Sequence, residues 1–358
     1  MPSSESTELD QLEATDTLLA RIQACNSLPV LSPLATKILN MCQDEEAETA
    51  KLAELISQDP AMAVKILAMA NSGYYGGGRH KVTSILQAVK LLGFVTIANL
   101  ALSFCFYHLI KGMNSPNTSK INHVQFWRRS IFSSIAGRAI GKHFASPHTE
   151  LVYLAALLQD IGILALHEVA VEEMKTIRAQ SPQNHDDLCQ LERKYLGVDH
   201  SQVGTWLAQQ WKLPEEFQIA ILYSHTPELL ETPSDFQALV DVVSLSSLIA
   251  DIWIEPDREA AIAIAQEKGL SSLSIQPEDW GPILDHFIEG IPQIAGFFQT
   301  QLGSVDEINQ IHHCALQQLA PSHLESLTQK SKTQDLAETV TVTKHSNSWW
   351  NIQSRLRT

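Results

Sequence analysis

The sequence predicts an all-α protein, with two packed helical subdomains followed by additional C-terminal helices. Three observations carry that reading. Apolar residues recur at intervals of three and four along almost the whole chain, and the period-two alternation of half-buried strands is scarce. Helix starts are marked in the sequence, most clearly at Asp59-Pro60, a side-chain acceptor at the cap followed by proline at the first helical position. The 358 residues are 44% hydrophobic and 18% charged, which suits a globular chain with a filled core and length for two domains of roughly 100–200 residues.

Residues 1–16 are polar and acidic and read as a disordered leader with no signal peptide. An N-terminal helical subdomain follows over 17–112. Pro29 and Pro33 punctuate the turn into LATKILNMC, and Thr49 is placed to cap AKLAELISQ. AMAVKILAMANS then runs into GYYGGGRHK, where three glycines break the helix and permit positive φ. Glycine amides next to Arg79, His80 and Lys81 invite an anion-binding reading. A plain interhelical turn is the better account, with Tyr74 and Tyr75 on the core and their hydroxyls at its rim. Ser84 caps ILQAVKLLG. The apolar run from Phe94 to Ile110 contains Asn99, Ser103 and His108, falls short of the ~20 apolar residues of a membrane span, and reads as a core helix.

KGMNSPNTSK is the clearest internal linker. Beyond it, 121–256 reads as a second helical subdomain, and 257–320 as three weaker helices packed on the core. From Pro321 the chain turns polar, so 321–358 is expected to be a flexible tail. Trp349 and Trp350 in that tail would pack back on the body or meet a partner.

Formal charge is −15, with the acidic excess concentrated after residue 150. Such a chain is repelled by phosphate backbones and anionic lipid, so neither direct nucleic-acid binding nor a membrane partner is expected. Cys25, Cys42, Cys105, Cys189 and Cys314 are scattered and form no CxxC pair. They read as reduced, space-filling thiols of a cytoplasmic protein.

The polar residues that interrupt apolar helices are Arg129, Asp160, His200 and His225, with Gln159 beside Asp160. Taken singly, each has a bland account: a hydrogen-bonded core histidine, or a buried ion pair between Arg129 and Asp160. No GxGxxG, P-loop or GxSxG pattern competes. Together, however, LPVLSPLATKIL, LAELISQDPAMAVKILAMANSGYYG, VTSILQAVKLLG, NLALS, FWRRS, LLQDIG and GVDHSQVGTWLAQQWKLPEEFQIAILYSH resemble the HDOD family over about Ser27 to His225. These bacterial signalling domains are related to the HD superfamily of metal-dependent phosphohydrolases. The resemblance implies two helical subdomains of the HDOD/HD-like type and a regulatory, non-catalytic role.

Catalytic HD relatives have a histidine where this chain has Arg129, and their His-Asp pair where it has Gln159 and Asp160. For their later histidines, His200 and His225 are the candidates. A closing aspartate would fall near Ser247, with Asp251 a weak substitute one turn on. The resemblance therefore implies a degenerate site. Glutamine is a feeble ligand for zinc, iron or manganese. Arg129 brings a fixed positive charge: +1 and +2 about 4 Å apart repel by roughly 8 kcal/mol at an effective dielectric near 20. Asp160 is expected to hold Arg129, the cation standing where a metal would have stood. LLQDIGI also lacks the lysine, and YSHTPELLETP the Gly-Tyr-Pro loop, of the related cyclic-di-GMP phosphodiesterases.

The leading expectation is thus a scaffold or signalling protein without cofactor, acting on a separate signalling partner, with homodimerisation left open. Two alternatives remain: a phosphohydrolase with the thinned ligand set Asp160, His200 and His225, or a nucleotide sensor using Arg128 and Arg129.

Overall fold

A computed structural model describes residues 18–327 except 19, 26, 27, 29, 45, 76–80, 113–121, 147, 183 and 232–234. The acidic leader, the glycines with Arg79 and His80, most of the linker, and Trp349 and Trp350 lie outside the described residues. Among the described residues every regular element is a helix.

The N-terminal group comprises α1 (Pro33–Cys42), α2 (Thr49–Ser57), α3 (Pro60–Ala70), α4 (Ile85–Leu92) and α5 (Phe94–Lys111). Ser32 accepts from the Ala35 amide, Asp59 from Ala61 and Met62, and Ser84 from Gln87. Each cap satisfies amides that a first turn leaves without a partner. Thr49 differs from expectation: it is the first helical residue, and Glu48 holds the cap position without a side-chain bond. Gly73–Tyr75 form a 3-10 turn after α3. Tyr74 and Tyr75 turn inward, but their hydroxyls are buried rather than at the rim, because both rings cover the Arg138 guanidinium at 4.5 and 4.0 Å.

The second group is built on α6 (His123–His143), which is buried along most of its length. It packs against α7 (Thr149–Leu158), α13 (Gln237–Ile254) and α15 (Pro277–Phe298). The helices α8 (Gly162–Val169), α9 (Val171–Ala179), α10 (His185–Leu196), α11 (His200–Gln210) and α12 (Glu215–Leu222) lie between α7 and α13 in the chain. α14 (Arg258–Leu273) packs on α13, and α16 (Val305–Leu319) on α15. Rings fasten α15 to the rest: Trp253 of α13 lies 4.4 Å from Phe287, and Phe132 of α6 lies 5.7 Å from the same ring. Phe298 meets Tyr107 of α5 at 5.1 Å and Trp127 of α6 at 6.1 Å. Each such buried ring is worth about 2–3 kcal/mol, so α15 belongs to the core.

Residues 321–327 are helical rather than part of a tail. Leu324 and Leu327 pack on the core, and His323 Nε2 meets Asp285 Oδ2 at 2.8 Å. Phe94–Lys111, expected to fall short of a membrane span, is by length and composition long and apolar enough to cross one, as are Thr149–Val169 and Gln237–Ile254 among the described residues. Between 67% and 78% of their windows is buried inside the fold.

The apolar run around Asp160 is not one helix. α7 ends at Leu158, Gln159–Ile161 turn, and α8 restarts at Gly162. The break brings α8 against α11, and Gly162 makes the approach feasible: a Cβ there would lie 1.9 Å from the His200 carbonyl oxygen and 2.6 Å from the Gly204 nitrogen. Asp160 is thereby set beside His200. Gly162→Ala must push these backbones apart, and should lower the unfolding free energy by about 2–3 kcal/mol or more, read from urea midpoints. A change below about 0.5 kcal/mol would show that the contact is not tight.

Candidate functional site

Two buried carboxylates and one guanidinium form the base of the site. Arg129, on α6, is 7% exposed, and Asp160 at the α7–α8 turn is 2% exposed. Arg129 Nη1 donates to Asp160 Oδ2. Its Nε donates to Asp251 Oδ1 at 3.0 Å and its Nη2 to Asp251 Oδ2 at 3.3 Å. The expected Arg129–Asp160 pair is therefore one arm of a triad whose two-point arm goes to Asp251. Asp251 pairs with Arg129 rather than with the imidazoles, and Ser247, one turn earlier, lines the cleft beside it.

The other oxygen of Asp160 faces three imidazoles. His225 Nε2 lies 3.2 Å from Oδ1, His185 Nε2 3.4 Å and His200 Nε2 3.5 Å. The His200 nitrogen is in turn 3.1 Å from that of His185 and 3.0 Å from that of His225. Arg129 thus occupies one side of Asp160 and leaves the other to the histidines. It does not stand in the place of a metal at Oδ1.

Helix ends position the rings. His200 opens α11 inside the Asp199–Gln202 capping box, and His225 follows α12 in a turn. His185 opens α10 behind its cap Asn184. Glu192, fully buried on α10, accepts from the His200 backbone amide at 2.9 Å and from Nδ1 at 2.6 Å through the same oxygen. That bond fixes the ring orientation and turns Nε2 toward Asp160.

Burial disfavours the charged form of every group here. At Asp160 the Arg129 guanidinium and His185 overcome it and hold the carboxyl well below the usual range. At Asp251 burial prevails over Arg129 and the carboxyl is raised. Burial lowers His200 too, but the Glu192 and Asp160 carboxylates outweigh it and lift the imidazole to about 10. His185 is held well below its ordinary value by burial and Arg129, and His225 is lowered chiefly by burial.

The donor set suits a divalent transition ion. A four-coordinate ion with bonds of about 2.0–2.2 Å has ligand atoms about 3.3–3.5 Å apart, close to the spacings around Oδ1. Three neutral imidazoles cannot all donate to one another and to one oxygen, so their convergence suits a cation, either the proton that His200 holds up to about 10 or an ion shared by all three. Arg129 against Asp160, Asp251 and Glu192 leaves two negative charges in excess when the imidazoles are neutral, the charge such an ion cancels.

Of the residues singled out from sequence, Arg129, Asp160, His200 and His225 meet. Gln159 is fully buried, yet neither amide atom finds a hydrogen-bond partner among the described residues, at a cost of about 1–3 kcal/mol. Arg128 lies apart, 3.0 Å from Glu307 and 3.2 Å from the Trp253 carbonyl oxygen. The nucleotide-sensor expectation loses its second arginine to that packing. His185, Cys189 and Glu192 escaped sequence reading. Their spacing of four and then three, on one face of α10, was the available signal.

A cleft of about 490 Å³ opens on this cluster and is lined in part by Arg129, His185, His225 and Asp251. Asp186, Glu228, Glu255 and Asp257 also line it, with Lys268 the second cation of the wall.

The chain belongs to the HDOD family: residues 28–227 match the HDOD domain. A solved HDOD domain protein with unknown function from Geobacter sulfurreducens is similar, with 20% identity and a TM-score of 0.61 over 85% of this chain and 98% of that one. A protein provisionally named a phosphohydrolase, from Shewanella amazonensis SB2B, gives 20% identity and a TM-score of 0.59 over 82% and 97%. Likenesses at that identity show the fold alone. An uncharacterized protein of Treponema pallidum (strain Nichols) is 21% identical over 238 residues, 66% of this chain and 45% of its own length. The chain thus matches less than half of that relative.

Two outcomes test the site. Arg129→Met leaves Asp160 and Asp251 buried without their cation and should cost about 3–5 kcal/mol in unfolding free energy; a loss under about 1 kcal/mol would contradict the triad. Burial pushes the Glu255 carboxyl up to about 7, with Asp251 adding to it. An acid raised in the folded chain binds its proton more tightly than the unfolded chain does. Its contribution to stability is therefore lost as pH rises from the ordinary value of 4.5 through about 7. Glu255→Gln should be more stable than wild type near pH 8 and equal to it near pH 5. Parallel pH profiles would reject the assignment.

Proposed function

We propose that this HDOD protein is a non-catalytic cytoplasmic signalling module. It acts on a separate signalling protein through helical surfaces, with the His-Asp cluster anchoring one divalent transition ion. The observation that carries the proposal is the division of Asp160. Oδ2 is committed to Arg129 and Oδ1 to three imidazoles. A two-metal clamp of the kind that stabilises both attacking and leaving oxygens needs a second exchangeable cation, and a guanidinium fills that place. Asp160, His185, His200 and His225 would hold the single ion. Four protein donors saturate a tetrahedral ion, as in structural rather than catalytic zinc sites. Such an ion ties the α7–α8 turn to the starts of α10 and α11 and to the end of α12, fixing the surface those elements present.

The acidic wall of the cleft supports the same reading. Phosphate esters approaching it meet Asp186, Glu228, Glu255 and Asp257, whereas a metal cation is drawn in. The acidic excess after residue 150 favours a basic patch on the partner and a salt-dependent on-rate.

A second reading, a single-metal phosphohydrolase, is favoured by one observation: the cleft reaches His185, His225 and Arg129. A bound ion would supply Lewis-acid polarisation there. Arg129 would orient an anionic group, and the Glu192–His200 bond would hold that imidazole fixed.

Metal content separates the two readings from a site that binds nothing. Tag-free protein purified without chelator should carry about one equivalent of a divalent transition ion. Chelation should lower stability by about 3 kcal/mol if the free ion stands near 100 times its Kd. Asp160→Ala should abolish retention, with no turnover of a generic phosphodiester by either form. Turnover abolished by chelation would establish the enzyme instead. Less than about a tenth of an equivalent, with no uptake on adding zinc, would defeat the anchor.

A further inference from the structure

We infer that Cys189 is a sulfur donor to the ion held at the histidine cluster, making the site selective for thiophilic divalent ions such as zinc over magnesium and manganese. This rests on the metal-anchor reading above. His185 and Cys189 are four residues apart on α10, so their side chains stand one above the other on a single face. Cys189 is fully buried, and its Sγ lies within 4.8 Å of a ring nitrogen of each of His185, His200 and His225. A buried thiol that only fills space needs hydrocarbon around it. This one meets three imidazoles that already converge on a carboxylate oxygen.

Geometry and softness point the same way. Zinc–sulfur bonds of about 2.3 Å and zinc–nitrogen bonds of about 2.0–2.1 Å put sulfur and nitrogen about 3.1–3.8 Å apart around a five-coordinate ion. The widest pair must close by about 1 Å, which a rotation of the short cysteine side chain can supply. On ligation the thiol gives its proton to solvent, sulfur donates a lone pair to the ion, and nothing is oxidised or reduced. The thiolate adds one negative charge, which its bond to the ion compensates locally. Thiolate favours zinc, ferrous or cobaltous ions, while magnesium and manganese favour oxygen. With sulfur bound, three nitrogens, one oxygen and one sulfur surround the ion, leaving even a five-coordinate ion no open position.

Cobalt(II) titration of the metal-free full chain tests the assignment. Wild type should develop visible d–d bands and a sulfur-to-cobalt charge-transfer band in the near ultraviolet, both saturating at one equivalent. Cys189→Ser should keep the visible bands and lose the near-ultraviolet one, and its preference for cobalt over manganese should fall at least about tenfold. Cys314→Ser, outside the cluster, should keep both bands. If Cys189→Ser does not fold, Cys189→Ala serves, and the wild-type spectrum alone still decides whether sulfur binds. Visible bands without charge transfer in wild type overturn the role of Cys189 and leave the anchor standing. Failure of wild type to take up cobalt overturns both.

Discussion

One carboxylate organises the site, and its two oxygens face two kinds of cation. On one side of Asp160 stands Arg129, a charge that neither pH nor chelators remove. On the other stand three imidazoles, whose positive charge is optional: a proton at His200 or a metal ion shared by all three. Everything nearby is arranged around that division. Asp251 takes the rest of the guanidinium, and Glu192 takes the far nitrogen of His200. Removing any one of these partners would leave an uncompensated buried charge, which is why the cluster behaves as a unit.

The backbone delivers the parts cheaply. Two of the three histidines sit at helix starts, where a cap residue fixes the first turn and a neighbouring side chain can project inward. Asp160 sits at a turn made possible by Gly162, which has no side chain to keep α8 away from α11. Arg129 and Asp251 sit on the long, mutually packed α6 and α13, whereas α11 reaches the site by packing on α8 and α12, and α12 in turn rests on α13.

The fold class was legible in the sequence because helical periodicity is a local signal, and the caps at Asp59 and Ser84 could be read from neighbouring residues alone. The tail boundary was not legible. Residues 321–327 are polar on average, and only the meeting of Leu324 and Leu327 with the core, with His323 beside Asp285, shows them as helix. At the site, Arg129, Asp160, His200 and His225 stood out because each interrupts an apolar helix or matches a family position. His185 did not, since Asn184, Asp186 and Asp187 surround it and it reads as an exposed helix start. Cys189 was hidden by composition: a buried cysteine is unremarkable until three imidazoles are found around it. The Asp251 arm of the triad was not legible, because the resemblance placed its carboxylate one turn away on α13, near Ser247.

The pairing of Arg129 with Asp160 and Asp251 sets what a bound ion can change. An HD-type pair with two exchangeable cations loses both under chelation and must rebuild its electrostatics from nothing. Here the guanidinium keeps Asp160 and Asp251 neutralised whether or not the imidazoles hold an ion, so the base of the site persists in both states. What changes between the states is confined to the three imidazoles and the elements that carry them. A change restricted to the starts of α10 and α11 and the turn after α12 alters a surface without endangering the core. The proposed role, a module that reports a bound ion to a partner, requires a change confined in that way.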